Sequence, residues 1–498
     1  MPQPSTPSFL FHDYETWGIS PQYDYPCQFA AIRTDMSLTP IDTPINIVAK
    51  IHPDYLPHPG ACLVTGITPQ STLQNGLTEY AFMRQIQQHM SESNTCSIGY
   101  NSIKFDDEFT RFSLFRNFYD PYQREWQNGN SRWDIIDLVR ACYALRPEGI
   151  VWPKNEKGLP SFKLELLTQA NGVAHEQAHD ALSDVYATIA IAKLIQTSQP
   201  KLFAYAYQLR SKHAVVDLLE QHRQTSLLYI NPFRSAKHGC ISFIVPICDH
   251  PTNTNATICV DLTKDITPLL TFTDTELQAT RYVKREDRTD DTPEFAALEI
   301  KHNQCPFIAK TNTLSEQRAQ ELALDLAQIN ARLLQLQNAL QSADSQQLLA
   351  RIKQAFVREF EDKAVDVEAS LYSGGFLSNA EKEFCTSIHY ATPEELPTII
   401  KSSPTPRLAQ LLLRFIARNY PESLTSGQLS SEQQAAWQAH CQQLNCQADN
   451  SSSINKLSFE QYFAQIAQCK SMYPSDAPQQ TVLDALTEYG NTHPFYSQ

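Results

Sequence analysis

Apolar and polar positions change their period several times along the chain. Phe9-Leu10-Phe11 and Gln28-Phe29-Ala30-Ala31-Ile32 are short β-type runs, separated by a turn containing Gly18 and Pro21. Asp180 to Ile195 carries Val185, Ile189, Ala192 and Leu194/Ile195 at helical spacing, and Thr197-Ser198-Gln199-Pro200 closes that helix and serves as a linker. Residues 1–197 therefore read as a mixed α/β domain. The period then becomes β-like: LLYIN (227–231), CISFIVPIC (240–248), ATICVDL (256–262) and CPFIA (305–309) predict a small barrel or sandwich. Leu322, Leu326, Ile329, Leu333, Leu336 and Leu340 predict one long helix with a heptad-like seam, packed along that barrel. Beyond about residue 350 the pattern is helical, as in RLAQLLLRFIAR (407–418), and the Gln/Ser/Asn-rich stretch 422–455 is expected to hold long polar connections.

Length agrees with this partition. At roughly 150 residues per domain, 498 residues predict three: 1–197, 198–348 and 349–498. The net charge of −14 argues against bulk positive attraction to nucleic acid or to an anionic membrane. Locally the picture differs, because residues 104–165 carry ten Lys/Arg and ten Asp/Glu, whereas from Ser430 onward there are two bases and six acids. A confined basic, aromatic strip on an acidic protein is the expectation. Twelve cysteines without a CxxC pair read as buried reduced thiols, not a zinc site. The start MPQPSTPS lacks the regions of a secretion signal, and no run reaches the ~18 apolar residues of a membrane span, so a cytoplasmic protein without membrane association is expected.

Three acidic clusters carry the chemistry. Asp13 and Glu15 follow an apolar run at i and i+2, the same face of a strand, and two converging anions call for a divalent cation. Taken alone, DxE is equally a strand end reaching water. Asp106-Asp107-Glu108 follows Asn101 and Phe105, and alone reads as an acidic helix start. His179 and Asp184 open the amphipathic helix, where an isolated His is ordinarily a cap or a solvated residue. Together, four carboxylates and one His supply ligands for two divalent ions and a general base. Hard oxygen donors select magnesium or manganese over zinc.

The order DxE…D…HxxxxD resembles the DEDDh group of 3′→5′ exonucleases, with Asp13, Glu15, Asp106, His179 and Asp184 at its five signature positions. Thr65-Gly66-Ile67-Thr68 and Tyr100-Asn101…Phe105-Asp106 continue the likeness. SRWDIIDLVRACYALRPEGI (131–150), CVDLTKDITPLL (259–270) and LYSGGF (371–376) extend it to the bacterial exonuclease I family, over essentially the whole chain. The resemblance implies a ribonuclease H-like exonuclease domain, an SH3-like β-barrel middle domain and an all-helical C-terminal domain, together a C-shaped clamp. It implies processive hydrolysis of single-stranded DNA from the 3′ end, releasing 5′-mononucleotides, in DNA repair and recombination.

In roles, Asp13, Glu15 and Asp184 would hold the magnesium that activates water, with manganese able to substitute. Asp106 would support a second ion, and neutral His179 would act as general base. Arg111, Tyr122, Trp126 and Arg140 are the implied DNA contacts, within an aromatic and basic stretch whose Phe112, Phe115 and Trp133 are assigned to the core. Glu15 is a further substrate contact. Lys163 stands where relatives place an Arg near the scissile phosphate, which keeps the charge but not the bidentate fork.

The family also binds the acidic C-terminal tail of single-stranded DNA-binding protein. Tyr205, Arg146 and Lys310 are the candidate contacts, and Gln337 stands where one relative has an Arg. A monomer is expected. Two rival readings remain at this level. One is RNA trimming by the same five residues, which the extra domains disfavour; the other is a non-catalytic DNA-binding scaffold, which has no use for four converging anions.

Overall fold

The computed structural model describes residues 6–173, 180–283, 287–289, 292–357, 365–446 and 456–496. Its contacts divide the chain into two compact units. The first comprises Met1–Ser131, His175–Tyr186 and Asp362–Gln498; the second comprises Arg132–Ala174 and Ala187–Glu361. The C-terminal helices thus share a unit with the N-terminal sheet. Trp17, Tyr25 and Tyr55 pack in one apolar cluster with Phe459, Tyr462, Leu483 and Leu486.

In the first unit the sheet runs β3 (Ile45–Val48), β2 (Pro26–Thr34), β1 (Ser8–Thr16), β4 (Thr95–Gly99). β1 pairs antiparallel with β2, placing Asp13 opposite Ala30 and Glu15 opposite Gln28. It pairs parallel with β4 only from Ser8 to Phe11, so Asp13 and Glu15 project beyond the last parallel pair. Ligands of α/β sheets gather at such carboxyl ends. β1 is buried along nearly its whole length, which suits the apolar and aromatic side chains that enter it.

The helix Asp106–Arg116 lies between two apolar clusters. Leu114 packs with Leu10, Tyr14 and Phe29 of the sheet, while Phe112 and Phe115 pack with Leu408, Leu411 and Leu412 of the helix Pro406–Asn419. A helix covered on opposite sides is held firmly, and its first residue, Asp106, with it.

β5 (Ser131–Asp134) carries the chain into the second unit. There β6 (Leu227–Ile230), β7 (Ile241–Asp249), β8 (Ala256–Asp261), β9 (Ala297–Lys301) and β10 (Ile308–Lys310) form an antiparallel sheet ordered β10-β6-β7-β8-β9. Trp133 is buried, as are Phe112 and Phe115 in the first unit.

Three sequence expectations need correction. The leucine seam is not one helix: Glu316–Glu321 and Leu326–Gln341 are separate, broken where Ala323 takes a φ of 51° and Asp325 caps the second. Within 422–455, Ser431–Gln442 is helical, because a Ser430/Gln433 capping box starts it and Trp437 and Cys441 bury its inner side. The run CPFIA pairs only from Ile308, since Cys305 has a φ of 48°. All twelve cysteines are thiols outside any disulfide, and only Cys446 is exposed. Among the described residues no helix is long and apolar enough to cross a membrane.

Candidate active site

Alternation along β1 sends Asp13 and Glu15 to one face and His12 and Tyr14 to the other. The helix Ala181–Ser198 contributes Asp184 from its first turn. One carboxylate oxygen from each of Asp13, Glu15 and Asp184 lies within 4.8 Å of the others. Asp106, buried at the start of its own helix, accepts the Tyr14 amide at 3.2 Å through Oδ1. Four of the five signature residues therefore meet in one unit. The fifth, His179, lies outside the described residues.

Sequence reasoning missed Asp180. Its Oδ2 accepts the Ser183 amide at 3.1 Å, as an N-cap does, and its Oδ1 accepts Gln28 Nε2 at 3.0 Å. An Asp immediately before an amphipathic helix was the available signal.

So many anions in a buried space resist ionisation. Burial, then Asp106, Glu15, Asp184 and Asp180, hold the Asp13 carboxyl well above the usual range. Burial and the charges of Asp184, Asp106 and Asp180 push Glu15 up to about 8. A divalent cation among these oxygens removes that penalty, so the donor set fits a hard cation.

A second group, Asp54, Glu368 and His440, has the same spacing but the opposite chemistry. Arg418 pairs with Asp54 and with Glu368, Lys456 Nζ is 3.8 and 3.5 Å from the same two carboxylates, and Arg414 reaches Glu368 and Asp366. Although burial opposes it, these cations hold Asp54 and Glu368 well below the ordinary carboxylate range. That cluster is already balanced by its own cations and calls for no metal.

Family models match three consecutive stretches: an exonuclease domain over residues 10–192, an exonuclease I SH3-like domain over 210–357 and an exonuclease I C-terminal domain over 365–493. Exodeoxyribonuclease I of Escherichia coli is 40 % identical over 486 residues, 97 % of each chain. The chain belongs to the exonuclease I family. Escherichia coli exonuclease I in complex with a dA16 oligonucleotide superposes with a TM-score of 0.88 at 38 % identity, covering 98 % of this chain and 100 % of that one. An ExoI/SSB-Ct complex matches at a TM-score of 0.87 and 37 % identity, with coverage of 98 % and 100 %. The fold is thus ribonuclease H-like exonuclease, SH3-like and helical, in that order along an exonuclease I chain.

The remaining exonuclease I candidates divide between the units. In the first, Trp126 is 67 % exposed, and Tyr122 is half-buried with the Arg111 guanidinium 5.3 Å from its ring centre. Arg111 is nearly buried and already engaged: Glu125 takes it through two bonds of 2.8 and 2.9 Å, and Glu108 through one of 2.6 Å. Its charge is therefore committed inside the protein. Tyr122 lines a cavity of about 450 Å³ with Tyr372, Phe376, Lys382, His389 and Arg407. Phe376 is 95 % exposed. The LYSGGF run held this signal, because two aromatics beside flexible glycines suit a ligand-facing loop.

In the second unit, Lys163 is exposed at the start of the helix Leu164–Ala170, and Arg140 pairs with Asp137 at 2.7 Å. Arg146 and Tyr205 both line a cavity of about 370 Å³ with Leu145, Leu202 and Phe307. Tyr205 donates to the Ile308 carbonyl at 2.7 Å. Lys310, exposed at the end of β10, is not among the lining residues, and Gln337 donates instead to the Gln224 carbonyl at 3.1 Å.

Proposed function

We propose that this chain is a cytoplasmic 3′→5′ exodeoxyribonuclease that hydrolyses single-stranded DNA processively to 5′-mononucleotides and serves DNA repair and recombination. The convergence of Asp13, Glu15 and Asp184 within 4.8 Å, in the stretch matched by an exonuclease model, carries this reading. Asp13, Glu15 and Asp184 would hold magnesium, with manganese as substitute, and Asp106 would support a second ion. Bound there, the ions supply charge that stabilises both the entering and the leaving oxygen of the phosphodiester.

The protein's own groups do the rest. His179 takes the proton of the attacking water, which requires its neutral form. Lys163 offers a point charge to the scissile phosphate, and Glu15 is in addition a substrate contact. Trp126, Tyr122, Tyr372 and Phe376 present aromatic faces to successive bases, and Lys382 and Arg407 supply charge beside them. Sequence-indifferent stacking of this kind suits processive digestion.

Arg146 and Lys201 give the second cavity two cations and Tyr205 a hydroxyl over an apolar floor, the chemistry that receives an acidic peptide ending in apolar side chains. The matching ExoI/SSB-Ct complex supports the C-terminal tail of single-stranded DNA-binding protein as that peptide.

A comparison of labelled single-stranded DNA and RNA, with magnesium and with EDTA, tests the proposal. Release of mononucleotides from the 3′ end of DNA, abolished by EDTA, is expected. Faster degradation of RNA would overturn the substrate, and digestion in EDTA would overturn the metal.

A further inference from the structure

Arg124 is about the least expected residue near the site. Its side chain is fully buried, and its Nη2 donates to Asp107 Oδ1 at 2.7 Å, while Nε and Nη1 have no hydrogen-bond partner among the described residues. A buried cation with unmet donors carries a desolvation cost, so its pairing with Asp107 calls for a purpose. Asp107 directly follows Asp106 in the first turn of the helix Asp106–Arg116.

That helix start has no side-chain cap: Phe105 occupies the N-cap with a φ of −128° and a ψ of −78°. Something else must fix it. The short turn Gln123–Glu125 grips it at two points, Arg124 to Asp107 and Glu125 to Arg111, and Arg111 passes the grip to Glu108. Tyr122 and Trp126 flank the same turn.

We propose that Arg124, acting through Asp107, is a positioning residue that fixes Asp106 in the active site. This rests on the proposed nuclease reading and deepens it. The ion pair locks the rotation of the first helical turn, and Asp106, one residue away, is held with its Oδ1 on the Tyr14 amide of β1. A displacement of about 1 Å in a site of this kind costs on the order of 100-fold in rate.

The test uses the full chain with magnesium and 3′-labelled single-stranded DNA. Arg124→Met is expected to lower kcat at least tenfold and to leave KM for DNA within twofold. Arg124→Lys, which can still reach Asp107, is expected to recover kcat to within about threefold of the parent. A residue that merely stabilised the fold would lower the melting temperature and leave kcat unchanged well below it. If Arg124→Met does not fold, Asp107→Asn removes the same pair from the other side and is expected to show the same kcat loss. A kcat within twofold of the parent in the folded variant, or a loss confined to KM, overturns the proposal. An inactive parent protein would instead overturn the nuclease reading, so the two failures are distinguishable.

Discussion

Glu15→Gln is expected to abolish activity and to stabilise the metal-free protein. Glu15 is buried, and burial together with Asp184, Asp106 and Asp180 lifts its carboxyl to about 8 from an ordinary 4.5. At pH 7 the unfolded chain holds it ionised and the fold holds it protonated. The gap of 2.5 between pH 7 and 4.5, at about 1.4 kcal/mol per pH unit, amounts to roughly 3.4 kcal/mol.

An independent route gives the same scale. Two like charges within 4.8 Å of each other, in an effective dielectric of about 20, repel by about 3.5 kcal/mol or more. Glutamine keeps the shape and removes the charge. In EDTA at pH 7, calorimetry should therefore show the variant melting several degrees above the parent. The sign with pH follows from the raised carboxyl: its contribution to stability is fully present below 4.5 and is lost as pH rises through 8. The advantage of the variant should vanish near pH 4.5 and be largest above 8. Magnesium should close or invert the gap, because only the parent keeps the full ligand set. A variant that melts at or below the parent in EDTA at pH 8 would refute the account of the cluster.

Asp13→Ala and Asp184→Ala should each abolish release of mononucleotides while circular dichroism stays native; digestion like that of the parent by either variant would sink the two-metal proposal. Trp126→Ala and Tyr122→Ala should each raise KM for single-stranded DNA about tenfold with little change in kcat, at roughly 1–3 kcal/mol per stacked base. Arg418→Met strips the main counter-charge from buried Asp54 and Glu368 and should destabilise the protein by about 3–5 kcal/mol in a urea melt. Burial holds His52 down to about 4, so the fold keeps it neutral while the unfolded chain takes up a proton below 6.5. Stability should fall as pH drops from 6.5 through 4, and His52→Gln should lose less over that window in thermal melts.

The signature carboxylates were legible because their chemistry depends on local spacing. The i, i+2 rule put Asp13 and Glu15 on one face of β1, and helix periodicity put Asp184 in a first turn. What the spacing left open was tertiary. Nothing in RLAQLLLRFIAR indicated that Arg414 and Arg418 point inward to balance Asp54 and Glu368, because a buried cation looks solvent-facing until its partner 364 residues away is known. Arg111 is a DNA contact only by resemblance, and spacing does not show that Glu108 and Glu125 pair with it. The seam from Leu322 to Leu340 obeyed a heptad, but periodicity is blind to the positive φ at Ala323 that divides it. The polar stretch 422–455 hid a helix because Gln is as good a helix former as it is a linker residue, and only the capping box at Ser430 and buried Trp437 marked it.

Two carboxylate groups of the first unit share one spacing, and the difference between them explains how an acidic protein can handle a polyanion. Around Asp54 and Glu368 the chain supplies its own cations, so the negative charge is cancelled and stiffens the packing. Around Asp13 and Glu15 the acids raise one another's proton affinity, so protons meet that charge until divalent ions displace them. DNA brought to that place before the metal would meet no positive charge to hold its terminal phosphate. Metal loading should therefore precede productive binding of the 3′ end, and the net charge of −14 constrains that order and not the choice of ligand. Titrating magnesium at fixed DNA tests this: affinity for the 3′-terminal nucleotide should rise with metal occupancy, while contacts at Trp126 should be insensitive to it. Equal terminal affinity in EDTA and in magnesium would show that the carboxylates do not gate the substrate.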